Sequence, residues 1–285
     1  MRKLLREVLA YVLILIFSKK KSERKGILSI YFHNPSKELF ERIMKWLLKQ
    51  GYTFISIKEL EKLIELKSDT QKLVFISFDD GWVGNLALIE TIEKFQVPVT
   101  IFIPTNPVKE GNFWWEYAIM KGQQKHSGIN RLQDFKRLPE NIFREKISLL
   151  KTIYNLKRSC ISLEELKKVA ENKMITIGSH TVTHPILKQF SHEFQVVELR
   201  ESKHVLSIWL NEEINYLAYP NGDFNEKTLE IVCNCGYRLC FTTFPALIDT
   251  KKVDPFLIPR FATYDKGGYY ENISKILGIW QKVFK

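Results

Sequence analysis

A parallel β/α barrel preceded by one apolar helix is the fold this sequence predicts, on three observations. From Gly26 onward, short β-rich runs alternate with helical stretches, the order that builds a parallel sheet. Several runs are apolar at consecutive positions, as strands covered on both faces are. Polar residues (His33, Asp79, Asp80, Thr105, His180, Tyr219 and Arg260) fall at or near the C-terminal ends of these runs. In a barrel those ends converge on one face, where catalysis takes place; an open doubly wound sheet would gather only some of them. Seven or eight units in one domain suit the closed form.

The first 25 residues stand apart. Val8 to Phe17 is an uninterrupted apolar run, about 15 Å long as a helix and so roughly half of a ~30 Å hydrocarbon core. Lys3, Arg6, Glu7 and Ala10 share one side of its first turns, which makes that part amphipathic. Lys19-Lys-Lys21 follows directly, with no small-residue cleavage site for a signal peptide. The readings rank as an interfacial helix on an anionic leaflet, then an uncleaved anchor, then a terminal helix packed on the domain. The expectation is a membrane-associated protein at the cytoplasmic face, or signal-anchored to the outer face.

Within residues 26–285 the runs are Leu28–His33, Phe54–Ile57, Leu73–Asp80, Pro98–Thr105, Met174–His180, Tyr216–Pro220, Leu239–Phe244 and Leu257–Thr263. Ser56-x-x-Glu59 and Ser162-x-x-Glu165 read as capping boxes, and Ser36, Ser191 and Asn225 as further N-caps. Gly51 and Gly236 sit where helices should stop. Residues 106–165 break the alternation, with a Trp-Trp loop and helical material around Asn141–Leu156, and are expected to be an insertion.

At 285 residues, 45% hydrophobic and 26% charged, the chain has an ordinary globular composition. Its net charge of +11 looks like a nucleic-acid signal until it is located: residues 1–25 hold eight Lys/Arg against two Glu, more than half of the excess. The remainder shows no basic stripe with interleaved aromatics, so no nucleic-acid partner is expected. Cys160, Cys233, Cys235 and Cys240 lack the paired Cys-x-x-Cys knuckles of a zinc ribbon and read as buried or free thiols in a reducing compartment.

The chemistry concentrates in two segments. Ser77-Phe-Asp-Asp-Gly-Trp82 is a strand, a carboxylate pair and a tight turn, so Asp79 and Asp80 can line one site from different angles. Ser179-His-Thr-Val-Thr-His184 sets His180 and His184 four apart, at ligand spacing. Two histidines and one carboxylate make an open hydrolytic metal site, and the second aspartate is left to act as a base. Each segment alone has a plainer reading, an Asp-Gly turn or a packing pair of histidines; together they favour the metal site. Phe113-Trp-Trp115 offers Trp114 and Trp115 for stacking on a sugar or meeting lipid, although such aromatics more often pack a core or lid.

These two segments resemble the first two motifs of the polysaccharide deacetylases, carbohydrate esterase family four, over residues 26–265. The resemblance implies a distorted (β/α)7-8 barrel and a divalent metal, most often Zn2+. It assigns Asp79 as base and Asp80, His180 and His184 as ligands. It also implies removal of an N-acetyl group from a polysaccharide or lipid-linked sugar. Ala218-Tyr-Pro-Asn-Gly222 aligns with the family's third motif, which brings Tyr219 and Asn221 to the substrate and the Asn221 backbone N–H to the oxyanion. Two departures stand out. Ala218 occupies the position of the family's arginine, and Arg260 is the candidate to replace that charge, a rim salt bridge being its other reading. The family's C-terminal leucine-x-histidine is absent, and His33 is the substitute acid, a structural rim histidine being its other reading. Hydrolysis of another amide, O-deacetylation, and a non-catalytic glycan-binding protein are the alternatives on the same barrel.

Overall fold

The computed structural model describes residues 2–18, 25–122 and 132–284. Lys19, Lys20, Lys21 and Arg24 of the basic flank, and part of the predicted insertion, lie outside the described residues. Helix α1 (Arg2–Ser18) precedes strand β1 (Leu28–Phe32). Helices α2 (Lys37–Lys49), α3 (Ile57–Glu65) and α4 (Ile89–Lys94) alternate with β2 (Thr53–Ile55), β3 (Leu73–Asp79) and β4 (Val99–Ile103). The long connection after β4 carries α5 (Thr105–Glu110), α6 (Trp114–Gly122), α7 (Leu132–Phe135), α8 (Glu140–Ile153) and α9 (Leu163–Ala170). Then come β5 (Ile175–Ser179), α10 (His192–Leu210), β6 (Tyr216–Ala218), α11 (Glu226–Asn234), β7 (Leu239–Phe241) and β8 (Phe261–Ala262). Helices α12 (Tyr269–Ile276) and α13 (Trp280–Val283) end the chain.

The strands run in the order β7-β6-β5-β4-β3-β1-β8 and every pair is parallel. Strand β2 pairs with the first half of β3 and β4 with the second, an irregularity that distorts the barrel. A parallel bridge from Phe241 to Ile258 joins β7 to the segment leading into β8, which brings the two ends of the sheet together. The helix signals act as the sequence predicts. Ser56 and Ser162 form capping boxes, Ser36, Ser191 and Asn225 cap helices, and Gly51 and Gly236 follow helix ends with φ of +77° and +70°. The predicted insertion packs its own apolar cluster of Trp114, Tyr117, Phe135, Phe143, Ile147 and Leu150, joined by Phe190 from outside it.

The period-two alternation of side chains on a strand decides what reaches the barrel interior. On β3, Val74, Ile76 and Phe78 pack outward against the helices, whereas Phe75 faces inward. Ser77 and Asp79 share the parity of Phe75, so Asp79 looks into the barrel mouth. On β4, Ile101 and Ile103 face out and Phe102 faces in; on β6, Tyr216 and Ala218 face in and Leu217 faces out. Inside, Phe241 stacks on Phe75 at 5.2 Å and packs tilted against Phe102 at 5.3 Å between centroids. Gly178 on β5 permits this packing, since a Cβ there would stand 2.6 Å from the Phe102 ring.

Helix α1 packs on the domain against α12. Its inward side carries Glu7, Ala10, Leu13 and Ile14. Glu7 accepts hydrogen bonds from the backbone N–H groups of Tyr270 and Glu271 (3.1 and 2.8 Å), satisfying orphan donors of the first turn of α12. Arg6 pairs with buried Glu271 at 2.5 Å and lies over the rings of Tyr264 and Trp280. Glu7→Ala should cost about 1 kcal/mol of stability, the worth of a helix cap, in urea denaturation; no change in midpoint would show that α1 does not hold α12.

Candidate active site

Asp79 and Arg260 form the most enclosed charged pair of the site. The Arg260 guanidinium, fully buried, donates from both terminal nitrogens to the two Asp79 oxygens (2.7 and 2.9 Å), and also to Ser77 Oγ at 3.1 Å. Its Nε donates to the Thr242 carbonyl at 3.0 Å, and the guanidinium sits 4.3 Å above the Tyr31 ring. The bidentate fork fixes the plane of the carboxylate. Burial alone would raise the Asp79 carboxyl, but Arg260 and the neighbouring histidines reverse this, and its pKa is lowered. Ala218, at the position of the missing third-motif arginine, pairs in register with Phe241, whose ring lies under Arg260.

Asp80 turns out of the strand into the left-handed region (φ +79°), and Gly81 continues there (φ +73°). This double turn lets adjacent carboxylates converge on one cleft. A Cβ at Gly81 would stand 2.5 Å from Ile103 Cδ1, so the position takes glycine for space as well as for φ. The far end of the insertion clamps the turn: Val83 N–H donates to the Ser159 carbonyl, and Ile161 N–H to the Gly81 carbonyl.

His180 and His184 complete a cluster with Asp80 in which the ligand atoms lie within 4.8 Å of one another. Asp80 Oδ1 is 3.5 Å from His180 Nε2 and 3.4 Å from His184 Nε2. His180 Nδ1 donates to the Ala218 carbonyl at 2.7 Å, which leaves the Nε2 lone pair facing the cluster. Burial lowers both imidazole pKa values, that of His184 strongly, and so favours the neutral form that binds metal; burial pushes Asp80 up. Asp80 Oδ1 is buried without a hydrogen-bond partner. An orphaned carboxylate oxygen facing two neutral imidazole nitrogens is the donor set of a divalent cation site, so the residues fit the metal the sequence implies. The histidine loop is held from outside: buried Glu198 accepts from the N–H groups of Val182 and Thr183 (both 2.8 Å) and from the Thr183 hydroxyl. Thr105 N–H donates to the Thr181 carbonyl.

A cleft of about 1060 Å³ opens over these groups, and His33, Asn221, Trp114 and Trp115 line it with Asp79, Asp80 and both histidines. His33 lies edge-on to Tyr31, and its carbonyl is anchored by Asn85 Nδ2 at 2.8 Å. Asn221 is left-handed (φ +56°) in the short turn Pro220–Gly222 at the cleft. Trp114 is nearly buried and donates its indole N–H to the His184 carbonyl at 2.9 Å, so its contact is with the protein more than with the cleft; Trp115 is half-buried beside the His184 ring. Tyr219 requires a correction. It is fully buried, faces away from the cleft and donates its hydroxyl to the Phe256 carbonyl. It follows inward-facing Ala218 and therefore has the parity of outward-facing Leu217.

Three site residues escaped the sequence reading. Trp82 donates Nε1–H to Asp80 Oδ2 at 3.0 Å; its nearness to Asp80 in the chain was the available signal. Lys136 reaches from the insertion to Asn221 Oδ1, 85 residues away, and Glu198 acts from 15–16 residues beyond the loop it holds; neither has a local signal. Trp82→Phe should weaken divalent-metal affinity by about 10–100-fold through loss of this orienting bond. Unchanged affinity in a metal titration would remove Trp82 from the site.

The fold and the site together define the class, a parallel β/α barrel with a buried Asp-His-His cluster at its mouth. The polysaccharide deacetylase family profile matches residues 67–240. Among curated proteins the chain is similar to a candidate polysaccharide deacetylase, YxkH of Bacillus subtilis (25% identity over 213 residues, 74% of this chain and 59% of that protein). It is also similar to the poly-beta-1,6-N-acetyl-D-glucosamine N-deacetylase of Staphylococcus epidermidis (22% over 237 residues, 82% of this chain and 70% of that protein). The structure resembles the Streptococcus pyogenes deacetylase PplD solved with acetate: TM-score 0.65, 18% identity, 90% of this chain and 99% of that one. The chain belongs to the polysaccharide deacetylase family. It spans 59% of the length of the Bacillus relative.

Proposed function

We propose that this protein removes an N-acetyl group from an amino sugar of a polysaccharide or of its lipid-linked precursor, with a divalent metal, zinc, held by Asp80, His180 and His184. The observation that carries the reading is the bidentate Arg260–Asp79 pair set beside the Asp80–His180–His184 cluster in one cleft. A binding module has no need of a buried carboxylate kept ionised by a dedicated guanidinium. The metal, when bound, supplies Lewis acidity for the amide carbonyl and lowers the pKa of a water. Asp79 takes a proton from the attacking water, and Arg260 keeps its carboxylate ionised and fixed in plane. The Asn221 N–H donates to the carbonyl oxygen as negative charge develops on it. His33, across the cleft, gives a proton to the departing amine. Trp115 offers a ring edge or face to the sugar. The products are acetate and a free amino sugar.

The test is acetate release from N-acetylglucosamine oligomers and from a lipid-linked N-acetylated sugar, alongside metal analysis of the purified protein. One bound divalent ion per chain is expected. Activity should disappear with a chelator and return with Zn2+. A protein that binds no divalent ion would end the hydrolase reading in favour of glycan binding.

A further inference from the structure

Helix α1 leaves most of its apolar residues on the outside of the domain. Glu7, Ala10, Leu13 and Ile14 face the domain and Arg6 reaches Glu271 from the edge of that face, while Leu4, Leu5, Val8, Leu15 and Ile16 are 49–69% exposed. The orientation is fixed by polar contacts. Glu7 caps α12, and Arg6 is held by Glu271 and by the rings of Tyr264 and Trp280, so the helix cannot roll its apolar side inward without breaking them. The exposed surface continues beyond α1: Tyr11 meets Tyr270 edge-on at 4.9 Å, and Val283 and Phe284 are exposed beside Trp280. An apolar patch of this extent marks an interaction site.

The geometry points to one occupant, the surface of an anionic bilayer, with α1 lying in the interface and setting the cleft beside it. Charge selects lipid over a second copy of this chain: in the sequence the apolar run has Lys3 before it and Lys19, Lys20, Lys21, Arg24 and Lys25 after it, an excess that complements anionic headgroups and not a second copy of the same basic segment. Length and attachment favour lying over spanning. Seventeen residues extend about 25 Å, less than a hydrocarbon core, and no described helix is long and apolar enough to cross a membrane. Arg6 and Glu7, anchored to the barrel, could not enter the core without leaving it. Aromatic rings at the edge of the patch suit the headgroup level. The link to the cleft is direct in the chain, because Asp265 and Lys266, which line the cleft, lead into the helix that Glu7 caps. The glycan acted on is therefore one attached at the membrane surface; this last step alone rests on the deacetylase reading.

The test uses the full chain and vesicles of phosphatidylcholine, alone or mixed with phosphatidylglycerol. The protein should float with the mixed vesicles and much less with phosphatidylcholine alone. A Leu5→Gln/Val8→Gln/Ile16→Gln variant should lose partitioning by more than about a hundredfold with an unchanged melting temperature. Lys19→Gln/Lys20→Gln/Lys21→Gln should lose about a hundredfold of the binding to anionic vesicles, at roughly one kcal/mol per lysine. Absence of flotation with either lipid, or a dimer in solution that the apolar variant dissolves, would overturn the proposal. Flotation involves no sugar, so its outcome is independent of whether acetate is released. For the step to substrate, the apolar variant should keep activity on soluble oligomers and lose it on a vesicle-borne sugar; equal retention of both would overturn that step.

Discussion

Asp79→Asn should lower kcat by about 10²–10⁴-fold while leaving metal content and KM nearly unchanged. The factor is that of removing a positioned general base. Asparagine keeps the volume and one oxygen acceptor for Arg260, but its amide cannot accept a proton at neutral pH. The three residues of the metal cluster do not include Asp79, so the bound ion should remain. Acetate release and metal analysis on the same preparation distinguish the roles. A variant that loses metal would make Asp79 a ligand or a structural prop, and a variant that retains full activity would leave the base unassigned. Asp80→Asn is the complementary variant, and there metal loss should come first.

Arg260→Met should have the largest effect on stability, about 3–5 kcal/mol, because it leaves the Asp79 carboxylate buried with its counter-charge removed. Arg260 also donates to Ser77 and Thr242, so its loss strands acceptors on two strands at the mouth of the barrel. Activity should fall with it, since burial would then push the Asp79 carboxyl up and fill the site meant for the water's proton. The double variant Asp79→Asn/Arg260→Met separates the two effects. It should recover much of the lost stability, as a buried ion pair replaced on both sides often does, and should stay inactive. If the double variant is no more stable than Arg260→Met, the cost lies in packing against Tyr31, Phe102 and Phe241 and not in the unpaired charge. Denaturant midpoints for the two single variants and the double variant decide this.

Local rules carried the sequence reading a long way. Capping serines announced helix starts within a residue because the cap bond spans only three positions. The buried parallel strands showed as continuous apolar runs, and the paired carboxylates and spaced histidines showed as short motifs. The paired strands are shorter than the apolar runs, most of all at β8, where only Phe261–Ala262 pairs within the run Leu257–Thr263. Side-chain parity is legible in the sequence: alternation along Tyr216–Tyr219 sends Tyr219 outward although it belongs to the third motif.

The sequence by itself determined the alternation of strand and helix, the place of Asp79, Asp80, His180 and His184 at or near strand ends, and the basic charge of the N-terminus. These depend on neighbours within one turn or one strand. Only the tertiary structure decided that Arg260 pairs with Asp79 across 181 residues, that Trp82 and Glu198 hold the cluster, and that most of the apolar surface of α1 is left exposed. A charge on one strand meets a carboxylate on another only when closure of the barrel brings them together, and no local pattern records that closure.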